Sequence, residues 1–596
     1  MLDVINNISY VYEYDLTGRL VRSYSTKGTS KLLSTENQYD DQNRIKSATY
    51  ILPNNAKQRY FYSYSSDNLI TGVSLPASSG LSYSYDDLNR RTLRRIAGQN
   101  VTTQVETYSY YSPGQYVATN LVNKITYADN STLSYTYNSN NNIIAVTDGN
   151  GKRISYKYDG MGQLIRENNP YTNLTTVYSY DKGGNITSAK EYAYTTAAEL
   201  GTVKKTNTYT YGDSNWKDKL TAYNGKTITY DKIGNPLTYR DSLSFTWKNG
   251  RQLASLQNGS SVINYTYNAD GVRIGKSGSR AGTFIVSGTQ ILREINSVAT
   301  IDYLYDESGS PVGLTYKRTT YYYRKNLQGD IINITDGTGA KVVTYTYNAW
   351  GKIMSMTGNM ELAVNNPFRY RGYYYDVESG LYYLNSRYYD PQTGRFINAD
   401  SYVSTGQGIT GTNMFAYCAN DPVCCNDVYG ESAAVAGLVG VGSAASSAGL
   451  IIGVGILFIP IPMASFSAIN NLNSLANLSA SEKTLINLGA KTKAKIKKEK
   501  YKYDYWIATK VTVSKSESIF IAGKGISYKT AINYVKHGGD VFASNRSKAY
   551  KLALAVGNGK RPVGPERHYN KITGSSLGYW WHYHDGNRKG GHIFYV

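Results

Sequence analysis

One pattern of apolar and polar positions recurs along roughly the first two thirds of the chain. Two tyrosines stand one residue apart and are followed by Asp or Asn. Three or four loop residues come next, often with Gly, then Arg, Asn, Lys or Gln before a Leu or Ile. Clear copies occupy residues 12–20, 83–90, 156–164, 178–186, 265–274 and 345–353. The second tyrosine falls at 14, 64, 85, 137, 158, 180, 267, 305 and 347, with several steps of 21, 22 or 25 residues. The alternation puts both rings on one face of a strand. Asp or Asn ahead of Gly suits a tight turn with left-handed backbone, and the Leu or Ile opens the return strand. Each unit is predicted to be a β-hairpin. A lone hairpin is not stable in water, so the units are expected to pair edge to edge into a continuous sheet. Tyrosine outnumbers phenylalanine 61 to 11. That suits a sheet with both faces partly wet, the ring packing while the hydroxyl meets water.

Past residue 490 the period changes. Residues 506–513 read as a strand. Residues 527–537 read as a helix that Ser527 caps and Gly538-Gly539 ends, with Tyr528, Ala531, Ile532 and Val535 on one face. Residues 544–556 predict a second helix with Ala549, Leu552, Ala553 and Val556 inward. A last hairpin joins 579–584 to 592–596. These elements predict a small α+β unit, helices early and sheet late. Ahead of it, residues 433–481 contain no charge. The stretch from Ala433 to Ile459 is long enough to span a bilayer as a helix, yet it is rich in Gly and small residues. Three readings compete, namely membrane entry, burial as a helical pair inside the protein and a transmembrane anchor, and the first two are the expectations.

Composition sharpens the division. The chain's 596 residues exceed one compact domain. Three cysteines, Cys418, Cys424 and Cys425, exclude a disulfide scaffold and are expected to be reduced thiols. Residues 491–596 carry 21 Lys and Arg against 6 Asp and Glu, whereas the first 490 residues carry 43 against 37. All five histidines fall between His537 and His592. A separate domain that meets something anionic follows from both asymmetries. Lys491, Lys493, Lys495, Lys497, Lys498, Lys500 and Lys502 form a run that reads either as a solvated linker or as a lead for nucleic acid. Met1-Leu2-Asp3-Val4 has neither the basic nor the apolar region of a secretory signal. The repeats begin almost at once, so either export is handled elsewhere or the chain is the N-terminally truncated tail of a longer protein, the latter being the expectation.

The segment Asn366-Pro367-Phe368-Arg369-Tyr370-Arg371-Gly372-Tyr373-Tyr374-Tyr375-Asp376 leads to Gly380-Leu381-Tyr382-Tyr383-Leu384. Arg387-Tyr388-Tyr389-Asp390-Pro391-Gln392-Thr393-Gly394-Arg395-Phe396-Ile397 then follows. Together with the repeats it closely resembles the YD-repeat family: rearrangement-hotspot (Rhs) proteins, wall-associated YD-repeat proteins, the Tc-toxin C component and teneurins. The resemblance covers about residues 5–430. It implies a mainly β fold: a hairpin shell over 1–362, open or incomplete here, and an Rhs-associated core over 363–430. An apolar, helical segment over 431–490 and a basic α+β toxin domain over 491–596 complete the expected order. It also implies a polymorphic toxin, secreted or at the cell surface, whose shell encloses its own C-terminal effector. A cognate immunity protein is the implied partner. Family members end the core with Asp-Pro-x-Gly-Leu, where an aspartyl autoprotease cuts. Here Asp427 and Gly430 match, but Val428 and Glu431 replace the Pro and Leu. Asp400 and Asp427 are the candidate carboxylate pair, with Arg387 to orient them. Turn formation without catalysis is the alternative.

In the terminal unit, period-two alternation puts His582 and His584 on one strand face, with His592 on the partner strand beside them. His568 lies in a loop, and Arg588 and Lys589 crown the last hairpin. Two imidazoles can act as base and acid on a ribose 2′-hydroxyl and its leaving oxygen, with Arg588 or Lys589 steadying the phosphorane. That chemistry predicts a nuclease, RNA favoured, without a cofactor. The other option is a transition metal on His582, His584 and His592. The order of candidates is His582, His584, His592, then His568, while His537 is expected to cap a helix end. Two further functions compete: a surface protein whose tyrosine-rich repeats bind glycans or proteins, and a tip that disrupts membranes through residues 433–459.

Overall fold

The computed structural model describes residues 2–3, 7–112, 117–278, 280–400, 412–427, 430, 434–435, 496, 503–513, 516–537, 539–566, 581–584 and 592–595. Strands from Leu2–Asp3 to Lys226–Thr227, Val117–Thr119 excepted, pair antiparallel in chain order as one sheet of 20. Strands from Thr229–Tyr230 to Ile353–Gly358 form a second sheet of 14.

Every repeat closes alike. Asp181 Oδ1 accepts from the N–H groups of Gly183 and Asn185, both at 2.9 Å, and the Asp181 carbonyl accepts from Gly184 N–H at 3.1 Å. Gly184 sits at φ +77°, and Asn43, Asn68, Asn89 and Asn141 fill the same left-handed place in other units. The ladder slips by one residue at the second tyrosine, as between Glu13 and Tyr14, Ser84 and Tyr85, and Ser179 and Tyr180. This bulge re-aims the ring over the preceding hairpin. Its hydroxyl then donates to the carbonyl of the residue that opened the previous return strand. The bonds are Tyr64 to Ile45 at 2.7 Å, Tyr137 to Val122, Tyr158 to Ile143 and Tyr180 to Leu164 at 2.6 Å, and Tyr347 to Ile331 at 2.8 Å. The expectation that these hydroxyls meet water is corrected: they staple successive hairpins. A phenylalanine would leave that carbonyl short of a partner, at about 1 kcal/mol per bond.

The first tyrosine of each unit points inward. Tyr83, Tyr135, Tyr156, Tyr178, Tyr265, Tyr303 and Tyr345 are buried among Leu, Ile and Val of both sheets. Residues 366–397 pack into this core and turn their charges toward the shell. Arg240 donates to both Asp390 oxygens at 2.7 and 2.8 Å, and Arg273 to both Asp376 oxygens at 2.6 and 3.1 Å. The signature's acidic residues are thus the buried counter-ions of shell arginines.

Glu167 is a buried shell carboxyl with no such cation among the described residues. It accepts from Ala349 N–H at 3.1 and 3.0 Å and from the Asn169 amide at 3.0 Å. Burial nonetheless pushes it from 4.5 up to about 7. The folded chain therefore keeps a proton that the unfolded chain releases. Its contribution to stability is full below about pH 4.5 and lost as pH rises through about 7. Glu167→Gln is expected to match the parent near pH 4 and to exceed it at pH 8 by up to about 3 kcal/mol. Urea unfolding of both chains across that range checks this; parallel profiles would count against it.

The terminal unit is built on one sheet. Tyr505–Val513 pairs with Ser516–Ile526 and with Val541–Ala543; Ile593–Tyr595, Trp581–His584 and Val563–Glu566 follow in order. Helices Tyr528–Lys536, capped by Ser527, and Arg546–Val556, capped by Asn545, cover one face. Trp506, Ala508, Phe542 and Phe594 line the other with Ile496. The predicted strand over 506–513 is present, and Ser516–Ile526, ahead of the first helix, and Val541–Ala543, between the helices, join it without being predicted. Val541–Ala543 is too short to show a period, and Ser516–Ile526 hides its own behind Gly523 and Gly525. Val541–Ala543 covers only residues 505–507 of its neighbour. The next stretch, Lys510 to Thr512, pairs in parallel with Val117–Thr119 of the shell region. The casing therefore lends the terminal sheet one strand.

Ala434–Val435 pairs with Cys425–Asn426; the rest of the 433–459 stretch, and the seven lysines of the run, lie outside the described residues. Among the described residues no helix is long and apolar enough to cross a membrane.

Candidate active site

Neighbouring antiparallel strands bring three imidazoles together. Trp581–His584 places His582 and His584 on one face, and Ile593–Tyr595 begins beside them, right after His592. Ring centroids lie 5.1 Å apart for His582 and His584, 5.2 Å for His582 and His592, and 4.6 Å for His584 and His592. His582 is wholly buried and packs on Phe594 at 5.2 Å, while His584 and His592 are half-buried. The first-ranked histidine is therefore the least able to reach a polyanion, and the pair open to substrate is His584 with His592. Tyr583, on the alternate face, is buried against the helices, as alternation requires.

Asp540, which no sequence pattern singles out, joins this cluster. Its Oδ1 accepts from the backbone N–H of His592 at 2.6 Å and lies 2.9 Å from His592 Nδ1. The carboxylate favours the tautomer with the proton on Nδ1, which leaves Nε2 as the proton acceptor. No spacing signals this, because 52 residues separate the two. His537 ends the first helix, exposed, with its Nδ1 2.7 Å from the Asn533 carbonyl, as expected of a cap. His568, Arg588 and Lys589 lie outside the described residues.

At the junction, Arg387 holds both predicted carboxylates. Its Nη1 is 2.9 Å from Asp400 Oδ2 and its Nη2 3.2 Å from Asp427 Oδ2, all three side chains being buried. The Gly430 carbonyl accepts from Ser386 Oγ at 2.7 Å and from Arg387 Nε. Two donors thus converge on the Gly430 carbonyl. Cys418 and Cys424 are buried and Cys425 half-buried, all as free thiols. Burial raises each thiol's pKa well above its usual range.

The teneurin YD-shell family model matches residues 155–423. The tRNA3(Ser)-specific nuclease WapA of Bacillus spizizenii is 28% identical over 423 residues, covering 67% of this chain and 15% of that protein. Double-stranded DNA deaminase toxin A of Burkholderia cenocepacia is 27% identical over 325 residues, 46% of this chain and 22% of that protein. The chain thus spans less than a quarter of these relatives' length. The crystal structure of TcdB2-TccC3 aligns with a TM-score of 0.50 at 16% identity, over 71% of this chain and 27% of that one, and shares the fold. Hairpin repeats, the buried signature and these likenesses agree in supporting a YD-repeat shell of the Rhs type.

Proposed function

We propose that this chain is the delivery shell and effector of a polymorphic toxin, and that its terminal unit is a nuclease acting on RNA. The observation that carries this is the convergence of His584 and His592, with Asp540 behind His592, in a unit of strongly positive charge. His592 Nε2 takes the proton of a ribose 2′-hydroxyl as its oxygen attacks phosphorus. His584 gives a proton to the departing 5′-oxygen, and His582 supports both rings from beneath. The basic surround gathers the polyanion, and the nuclease relatives support the substrate class. A neutralising immunity protein would cover this face before delivery. Expression of the chain in bacteria should arrest growth with fragmented RNA, and the His592→Ala and His584→Ala chains should do neither. Arrest that persists in both variants, with intact RNA and leaking liposomes, would put the activity in the membrane instead. Harmless expression of the folded parent would favour a surface-binding protein.

The Arg387 geometry supports a second step, self-cleavage at the junction. Asp427, steered by Arg387, would activate water against the Gly430 carbonyl, whose developing charge Ser386 and Arg387 Nε receive. The purified parent is expected to run as two pieces on a denaturing gel, and Asp427→Asn and Arg387→Ala as one. A parent that stays whole through prolonged incubation refutes it.

A further inference from the structure

We infer that His582, His584 and His592 form a binding site for one transition-metal dication of the zinc class. Each ring offers a nitrogen, and the three nitrogens lie within 4.8 Å of one another. A tetrahedral zinc ion, with Zn–N near 2.0–2.1 Å, needs its ligand atoms about 3.4 Å apart, so closing on the ion takes side-chain rotations of the order of 1 Å. Two strands already fix the backbones, since His582 pairs with Phe594 and Tyr583 with Ile593 in direct register.

Donor chemistry chooses the ion. An all-imidazole set suits zinc, copper, cobalt or nickel and discriminates against magnesium and calcium, which want oxygen. Asp540 supplies what ligating histidines need from outside. Its carboxylate accepts a hydrogen bond from His592 Nδ1–H at 2.9 Å, which fixes the ring and leaves Nε2 as the ligating nitrogen. The burial of His582, with Phe594 against its ring, gives the site a dry floor. Three protein ligands leave a fourth position for water or a phosphate oxygen.

The site stands independently of the nuclease reading; only its consequence for turnover rests on that reading. With the ion bound, the His592 nitrogen that would accept a proton is occupied, so zinc would silence acid–base cleavage and its removal would restore it.

The test uses the full chain, stripped with chelator and titrated with zinc chloride, with metal analysis after dialysis and circular dichroism of each variant. One ion per chain is expected, with affinity at least about 100-fold weaker in His584→Ala and His592→Ala and about 10–100-fold weaker in Asp540→Asn. His537→Ala, at an exposed helix end, should bind as the parent does. Stoichiometric zinc retained in both histidine variants would move the ion elsewhere, to Cys418, Cys424 and Cys425 for example, and overturn the inference. A folded parent with no saturable binding would overturn it too. Cleavage that requires bound zinc would uphold the site and refute the metal-free acid–base mechanism.

Discussion

Arg273→Ala is expected to destabilise the shell by about 3–5 kcal/mol. Arg273 and Asp376 are both fully buried, joined by hydrogen bonds of 2.6 and 3.1 Å. The guanidinium also faces the rings of Tyr383 at 4.3 Å, Tyr374 at 4.9 Å and Tyr265 at 5.2 Å. Truncation removes these contacts and leaves Asp376 buried, with Lys276 Nζ at 3.4 Å as the nearest remaining cation. The large cost comes from that stranded charge rather than from the net worth of the pair. Arg273→Met combined with Asp376→Leu should therefore lose far less than the single change. Urea unfolding followed by tyrosine fluorescence measures both. A single variant within about 1 kcal/mol of the parent would mean that the core does not hang on this pair.

The contrast between those two variants also marks how far the sequence reaches. The hairpin repeat is legible because its signals are local: alternation, an Asp that caps its own turn, a Gly or Asn at positive φ. The staple is not, because the acceptor of each tyrosine hydroxyl lies in the previous hairpin, as Ile45 does for Tyr64. The signature from Asn366 to Ile397 can be seen as a block, yet its physical reason is hidden. Asp390 answers Arg240 across 150 positions and Asp376 answers Arg273 across 103. At the terminal site, alternation correctly set His582 beside His584. Phe594 faces His582 across that same predicted hairpin, in direct register; what alternation could not show is the parallel pairing of Val541–Ala543 with Ile593–Tyr595. The same pairing sets Asp540 against His592. The strand from Val117 to Thr119 carries no local mark of its partner, which lies far along the chain, from Lys510 to Thr512.

Asp540→Asn is expected to lower RNA cleavage by about 10²–10³-fold, and His592→Ala by about 10²–10⁴-fold. The asparagine keeps size and shape but can turn its amide N–H toward Nδ1, which favours the tautomer with the proton on Nε2. His592 would then point a proton at the hydroxyl it must deprotonate. His584→Ala should cost a similar factor through the lost proton donor, and His537→Ala nothing. Coupling is the stricter check. If Asp540 acts only through His592, the double variant Asp540→Asn/His592→Ala should be no slower than His592→Ala alone. A further drop in the double variant would give Asp540 a role of its own. An Asp540→Asn chain as fast as the parent would remove it from the site. Single-turnover cleavage of a short RNA, with circular dichroism to show that each chain is folded, distinguishes these outcomes. The half-buried position of His584 and His592 makes loss of fold the lesser risk, because neither ring fills the core that the two helices close.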